Sequence, residues 1–310
     1  MRKFNLKGNV VQRMLGIQKD PPGQKEAEAD AKTSESAENR PEFSELQGEL
    51  RLACRTDVGK LRKSNQDSLI IGSGLAGVAD GMGGHNGGET ASAGLRDGLL
   101  REVKGKEPDG KLLTEAVQKV NLELFEQQEK DLSLSGMGTT MTVLWPGEQD
   151  MIIGQVGDSR AYLIRGAELK QITNDHSMVA DMVRKGVLTE EQAACHPMRN
   201  YITRAVGTEQ TIDVDLFRIP RMKGDRWLVC SDGLHSQVGR TELLLLSLTD
   251  DLEEAADKLM SAALENGGKD NITFVLLQDD RETVIPADSA TETEEKLPDT
   301  GEAETEAENE

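Results

Sequence analysis

The chain has 310 residues, enough to bury a substantial core as one large domain or two ordinary ones. Its three cysteines, Cys54, Cys195 and Cys230, lie far apart with no Cys-x-x-Cys pair, which excludes a disulfide framework and a zinc ribbon. A formal net charge of −20, no apolar run near the ~20 residues of a membrane span and no secretory leader lead us to expect a soluble, cytoplasmic chain that repels nucleic acid.

The charge is concentrated at the ends. Residues 1–19 carry five bases and no acid, and Leu6, Val10, Met14 and Ile17 recur there at helical spacing among Lys3, Lys7, Arg13 and Lys19. This reads as a basic amphipathic segment, for which a frayed terminus interrupted by Gly8 and Gly16 is preferred to membrane association or partner docking. Residues 20–49 form an acidic linker of Glu, Ala, Ser, Lys and Pro with too few bulky apolar side chains to offset the entropy of ordering. Residues 279–310, with thirteen acids against two bases, read as a disordered acidic tail.

Between them, residues 50–278 alternate as strands and helices of a single α+β domain. Strands are predicted at 51–55, 69–71, 76–79, 139–145, 151–156, 160–164, 169–172, 212–219, 227–230 and 272–277. Helices are predicted at 88–103, 112–130, 179–185, 241–248 and 252–265. Pro146-Gly147 and Arg165-Gly166 sit between successive strands as hairpin turns, so the pairing should be antiparallel and the layers those of an α+β domain rather than a doubly wound sheet.

Four motifs place a carboxylate at a strand end rather than on a solvated helix face. They are Asn65-Gln66-Asp67, Asp80-Gly81 after an apolar strand, Ser231-Asp232-Gly233 after another, and Lys269-Asp270-Asn271 before a third. Any one Asp-Gly alone reads as a tight turn; three at the mouths of buried strands indicate a cation that compensates them. Without thiolates or a His-x-x-x-His, the ligands are hard oxygens, which suits Mg2+ or Mn2+. The glycines at 81–88 fit neither a Walker loop nor a dinucleotide fingerprint, and suggest close backbone approach to a metal, with the Gly81 carbonyl as a ligand.

Taken in order, these motifs and Gly138-Thr139-Thr140, Gly157-Asp158-Ser159-Arg160, Asp175-His176-Ser177, Ile202-Thr203-Arg204 and Asp270-Asn271-Ile272-Thr273 resemble the bacterial branch of the type 2C metal-dependent protein phosphatases. The resemblance covers residues 51–278. It implies a four-layer sandwich of two central antiparallel β-sheets flanked by helices. It further implies two Mn2+ or Mg2+ ions, with Asp80 bridging them, Asp232 and Asp270 completing the first and the Gly81 carbonyl holding the second. Asp67 would orient water from behind the ligands, and Asp158 is a candidate for a third metal shared with Asp232. Arg62 is the candidate phosphate clamp, since a guanidinium meets two phosphate oxygens as a fork.

The implied activity is hydrolysis of phosphoserine and phosphothreonine in proteins through a metal-bridging hydroxide, by a monomer that opposes a serine/threonine kinase. Two departures stand out: Gln66 where relatives often carry Glu, and Met82 where animal relatives carry a histidine proposed as general acid, a role His85 cannot simply inherit. Residues 177–199 occupy the place of the flap of bacterial relatives, with a plain helical hairpin as the simpler reading. A non-catalytic phosphoprotein-binding module and a hydrolase of small phosphate esters are the alternatives.

Overall fold

The computed structural model describes residues 50–83 and 87–281. The basic segment 1–19, the acidic linker 20–49, His85 and residues 282–310 lie outside the described residues.

Strands β1 (Leu50–Asp57), β2 (Asp67–Gly72) and β3 (Leu75–Met82) lead into two long helices, α1 (Gly87–Val103) and α2 (Gly110–Lys130). Five strands follow: β4 (Gly138–Thr139), β5 (Met141–Pro146), β6 (Asp150–Val156), β7 (Arg160–Arg165) and β8 (Glu168–Gln171). Short helices α3 (Met178–Arg184) and α4 (Glu190–Ala194) precede β9 (Asp215–Pro220) and β10 (Arg226–Cys230). Helices α5 (Asp232–His235), α6 (Arg240–Ser247) and α7 (Leu252–Glu265) then return the chain to β11 (Ile272–Asp279). One sheet runs β1-β11-β10-β7-β8, the other β2-β3-β5-β6-β9 with β4 on the end of β3. The ladders are antiparallel, and both predicted hairpins are present, with Pro146 opposite Met151 and Arg165 opposite Glu168.

The period-two alternation of side chains sorts the layers. On β10, Leu228 and Cys230 join a cluster with Leu243 of α6 and Leu259 of α7, whereas Trp227 and Val229 enter the space between the sheets. On β3, Leu75 and Ala79 pack with Leu95 and Leu99 of α1, while Ala76 and Val78 meet the other sheet. The result is helix, sheet, sheet, helix, the four-layer α+β sandwich expected. Helix entry is fixed by side-chain caps: Asp109 accepts the Leu112 N–H at 2.8 Å and Asp251 the Glu254 N–H at 2.8 Å.

Three local readings need correction. The strand predicted from Ile212 starts at Asp215, because Ile212 is buried with the α1–α2 cluster instead of joining the ladder. The flap segment holds two helices, as a helical hairpin would, but only α3 falls in a predicted helix range. The packed domain also passes residue 278: Asp279 is fully buried, accepts from Arg221 Nε at 2.8 Å and lies 3.4 Å from Arg281 Nε, so the last strand is pinned by charges that the composition assigned to the tail.

Candidate metal centre

The site begins where apolar strands leave the core. Asp80 lies in β3 directly opposite Asp67 of β2, Asp232 follows β10 as the first residue of α5, and Asp270 lies in the turn two residues before the start of β11. β10 and β11 are neighbours in one sheet and β2 and β3 in the other, so both sheets bring a pair of carboxylates to the centre.

Hydrogen bonds fix the backbone beneath these side chains. Thr140 holds the Asp80 peptide from both sides: its hydroxyl accepts the Asp80 N–H at 2.9 Å and its own N–H donates to the Asp80 carbonyl at 2.9 Å. Thr139 Oγ1 donates to the same carbonyl at 2.9 Å, and Thr140 Oγ1 lies 2.8 Å from Ser159 Oγ. Ser231 joins the two sheets. Its hydroxyl donates to Asp67 Oδ2 at 2.9 Å and accepts the Thr273 N–H at 3.1 Å. Asp67 Oδ1 is buried without a donor among the described residues.

Gly81 has a reason for being glycine other than the one read from sequence. A Cβ there would lie 2.1 Å from the Gly88 carbonyl oxygen and 2.4 Å from that of Gln66, so the close approach is to the start of α1 and to the 58–66 loop. The Gly81 N–H donates to Gln66 O at 3.2 Å.

Electrostatics distinguish this cluster from ordinary turn carboxylates. Burial pushes Asp67 up to about 6, Asp158 to about 7 and Asp232 to about 8, and raises Asp80 well above the usual carboxylate range. After burial, the next cause at Asp80 is the charge of Asp67, followed by Asp232, Asp158 and Asp270; at Asp232 it is Asp158, followed by Asp270. Arg62 supplies positive charge at the rim, donating to Asp270 Oδ2 at 2.6 Å. Desolvation works against its charge, but the bond to Asp270 and the fields of Asp270, Asp232 and Asp80 outweigh it, so the guanidinium stays protonated.

Asp158 lies in the turn between β6 and β7, 8 % exposed. His235 Nε2 is 3.2 Å from its carbonyl oxygen, and burial drives His235 down to about 3, so the ring is neutral and donates to that carbonyl. His176 closes the turn from the other side: its backbone N–H donates to Gly157 O at 2.9 Å, and its Nδ1 accepts the Gly157 N–H at 3.0 Å. The ring proton is therefore on Nε2, 3.3 Å from Asp215 Oδ2. No role for Ser231, Thr140, His176 or His235 could be read from the sequence. Their adjacency to Asp232, Gly138-Thr139, Asp175 and Leu234 was visible, but only strand register shows which backbone each one holds.

No three His, Cys, Asp or Glu side chains among the described residues stand close enough to cage an ion by themselves. The residues nonetheless fit a hard divalent ion: the donors are oxygens, they are partly or fully buried, and their mutual repulsion is what such an ion relieves.

Comparison with known proteins agrees with the fold. Residues 61–276 match the family model described as "Protein phosphatase 2C". A serine/threonine phosphatase (stp) of Listeria monocytogenes is 37% identical over 240 residues, 73% of this chain and 94% of that one. The serine/threonine protein phosphatase PstP of Mycobacterium tuberculosis is 40% identical over 230 residues, and there the chain spans 44% of the relative's length. The crystal structure of the PstP catalytic domain in complex with two manganese ions superposes with a TM-score of 0.69 at 36% identity, covering 75% of this chain and 99% of that one. The sandwich agrees with these likenesses, and the chain belongs to the protein phosphatase 2C family.

Proposed function

We propose that the chain is a serine/threonine protein phosphatase that hydrolyses phosphoserine and phosphothreonine in proteins with Mn2+ or Mg2+, and that it opposes a serine/threonine kinase in the cytoplasm. The observation that carries this reading is the convergence of Asp67, Asp80, Asp158 and Asp232, all with raised proton affinity, next to the guanidinium of Arg62. Its relatives bear serine/threonine phosphatase names, and one of them was crystallised with two manganese ions. No helix among the described residues is long and apolar enough to cross a membrane.

Asp80, Asp232, Asp270 and the Gly81 carbonyl would hold two ions, with Asp158 and Asp232 available to a third. When bound, such ions lower the pKa of water and screen a phosphoryl dianion, which is the help that a very slow hydrolysis needs. The protein's own groups do the rest. Arg62 presents a planar fork to two phosphoryl oxygens and exchanges its bond to Asp270 for them. Asp67, anchored through Oδ2 on Ser231, turns Oδ1 to orient the attacking water. His235 is neutral at physiological pH and engaged with the Asp158 carbonyl, so it is not the acid for the leaving alkoxide.

The test is phosphate release from a phosphothreonine peptide and from a nucleotide, with and without manganese, by the parent chain and Asp232→Asn. Manganese-dependent turnover of the peptide in preference to the nucleotide is expected. Changes behind the ligands of metal sites already cost about 10–100-fold, so loss of a ligand should cost more than that in Asp232→Asn. Equal rates for the two proteins would remove the assignment.

A further inference from the structure

Residues 58–66, which join β1 to β2 and carry Arg62, lie outside the strands and helices, yet one side chain holds both ends of this loop. Asn271, between Asp270 and β11, is 5 % exposed. Its Oδ1 accepts the Gln66 N–H at 2.9 Å, while its Nδ2 donates to the Val58 carbonyl at 3.0 Å and the Ser64 carbonyl at 2.9 Å. The three partners fix the carboxamide's orientation, because a flip would set the NH2 against an N–H and the oxygen against two carbonyls.

The loop is also pressed onto the turn that presents Asp270. Lys60 N–H donates to Gly268 O at 2.7 Å. Gly59 has φ +74°, and a Cβ on it would lie 2.2 Å from the Asp270 carbonyl oxygen. Arg62 then reaches back to the Asp270 carboxylate. Loop and ligand turn therefore form one unit, and Asn271 is the polar pin through it.

We propose that Asn271 is a positioning residue for Arg62: by clamping residues 58, 64 and 66 it holds the base of a long side chain, which is half exposed, so that the guanidinium meets a phosphoryl group without a search through loop conformations. This rests on the reading of Arg62 as the phosphoryl-binding group. A pre-ordered base matters because ordering a mobile loop and a flexible arginine on binding costs free energy that would otherwise go into affinity.

The decisive variant is Asn271→Asp, which keeps the shape but turns two donors into an acceptor facing two carbonyl oxygens. Parent, Arg62→Ala, Asn271→Asp and the double variant would be compared, as full chains with manganese, for turnover of a phosphothreonine peptide and for inhibition by inorganic phosphate. Manganese affinity is measured in parallel, by the electron paramagnetic resonance signal of the free ion. Asn271→Asp should weaken phosphate inhibition about 10–100-fold with unchanged manganese affinity, and add nothing further in the Arg62→Ala background. Should Asn271→Asp fail to fold, Asn271→Ala, which leaves the carbonyls unpaired but unopposed, carries the same expectation. Additive losses in the double variant, unchanged phosphate inhibition, or a loss that follows manganese affinity would overturn the proposal. If Arg62→Ala itself leaves phosphate inhibition intact, the reading of Arg62 fails and this proposal with it, an outcome separable from the others by the single variant alone.

Discussion

At the scale of single residues, the hydroxyl of Ser231 serves two masters: it accepts an amide within its own sheet and donates to Asp67 of the other. Ser231→Ala removes a donor from buried Asp67 and leaves the Thr273 N–H buried without its acceptor. Each such group costs about 1–3 kcal/mol, and misplacing Asp67 should lower kcat about 10–100-fold with little change in KM. Urea unfolding and steady-state kinetics on the same protein would check both halves. A second residue-scale expectation concerns pH. Hydrogen bonds from His176 and Arg204 hold the Asp215 carboxyl well below its usual range. A carboxylate whose folded pKa is depressed contributes stability above its unfolded pKa of about 3.9 and loses it as pH falls toward the folded value. Asp215→Asn should therefore flatten the loss of stability between about pH 5 and pH 2, seen in urea midpoints across that range; an acid limb as steep as the parent's would show that Asp215 is not responsible. The carboxylates themselves were legible in the sequence because Asp after an apolar run is conspicuous. The hydroxyls and imidazoles behind them were not, since a Ser or Thr in a strand looks the same whether it faces solvent or a neighbour's amide.

Between residue and molecule, the elements show where pattern reading works. β3, β10 and β11 were found within a few residues, because their apolar runs are long and buried on both faces. α4 has no predicted range, although Thr189-Glu-Glu-Gln192 spells a capping box, which the structure forms with both reciprocal bonds. Five residues of helix carry too little apolar periodicity to register without that cap. The base of this segment is closed by Met178 N–H donating to Tyr201 O at 2.9 Å, so residues 178–200 form a module that can be exchanged. Replacing it with the corresponding segment of the Listeria relative should change the ranking of phosphopeptide substrates while leaving turnover of a small aryl phosphate in place. An unchanged ranking would count against a flap that selects substrates. The end of β11 gives a sharper expectation. A chain ended after Gln278 loses Asp279 and strands Arg221 in a buried position, which should cost about 3–5 kcal/mol in urea unfolding, whereas one ended after Arg281 keeps the pair.

For the whole molecule, four layers follow from strands whose alternate side chains are apolar on both faces and helices that are apolar on one; the residue pattern carried an antiparallel α+β domain, and the four-layer order came with the family resemblance. Local turn signals carried the β5–β6 and β7–β8 pairings but not the rest of the strand order, because β1 pairs with β11 across the entire domain and no local signal encodes that contact. The electrostatics also belong to the whole. Carboxylates from β2, β3, the β6–β7 turn, the start of α5 and the turn before β11 come from both sheets, and burial together with their neighbours' charge raises Asp80 and Asp232, a cost that a bound cation would offset. Saturating manganese should accordingly raise the thermal midpoint, by roughly 5–10 °C at a hundredfold excess over Kd, and Asp80→Asn should abolish most of that gain. The most direct measurement is the number of manganese ions bound per chain, counted by titration calorimetry or from the free-ion resonance signal for the parent and for Asp80→Asn, Asp232→Asn and Asp270→Asn. Two tightly bound ions in the parent are expected, with tight binding lost in each variant; a parent that binds none, or variants that bind as the parent does, would show that these aspartates do not hold the metals.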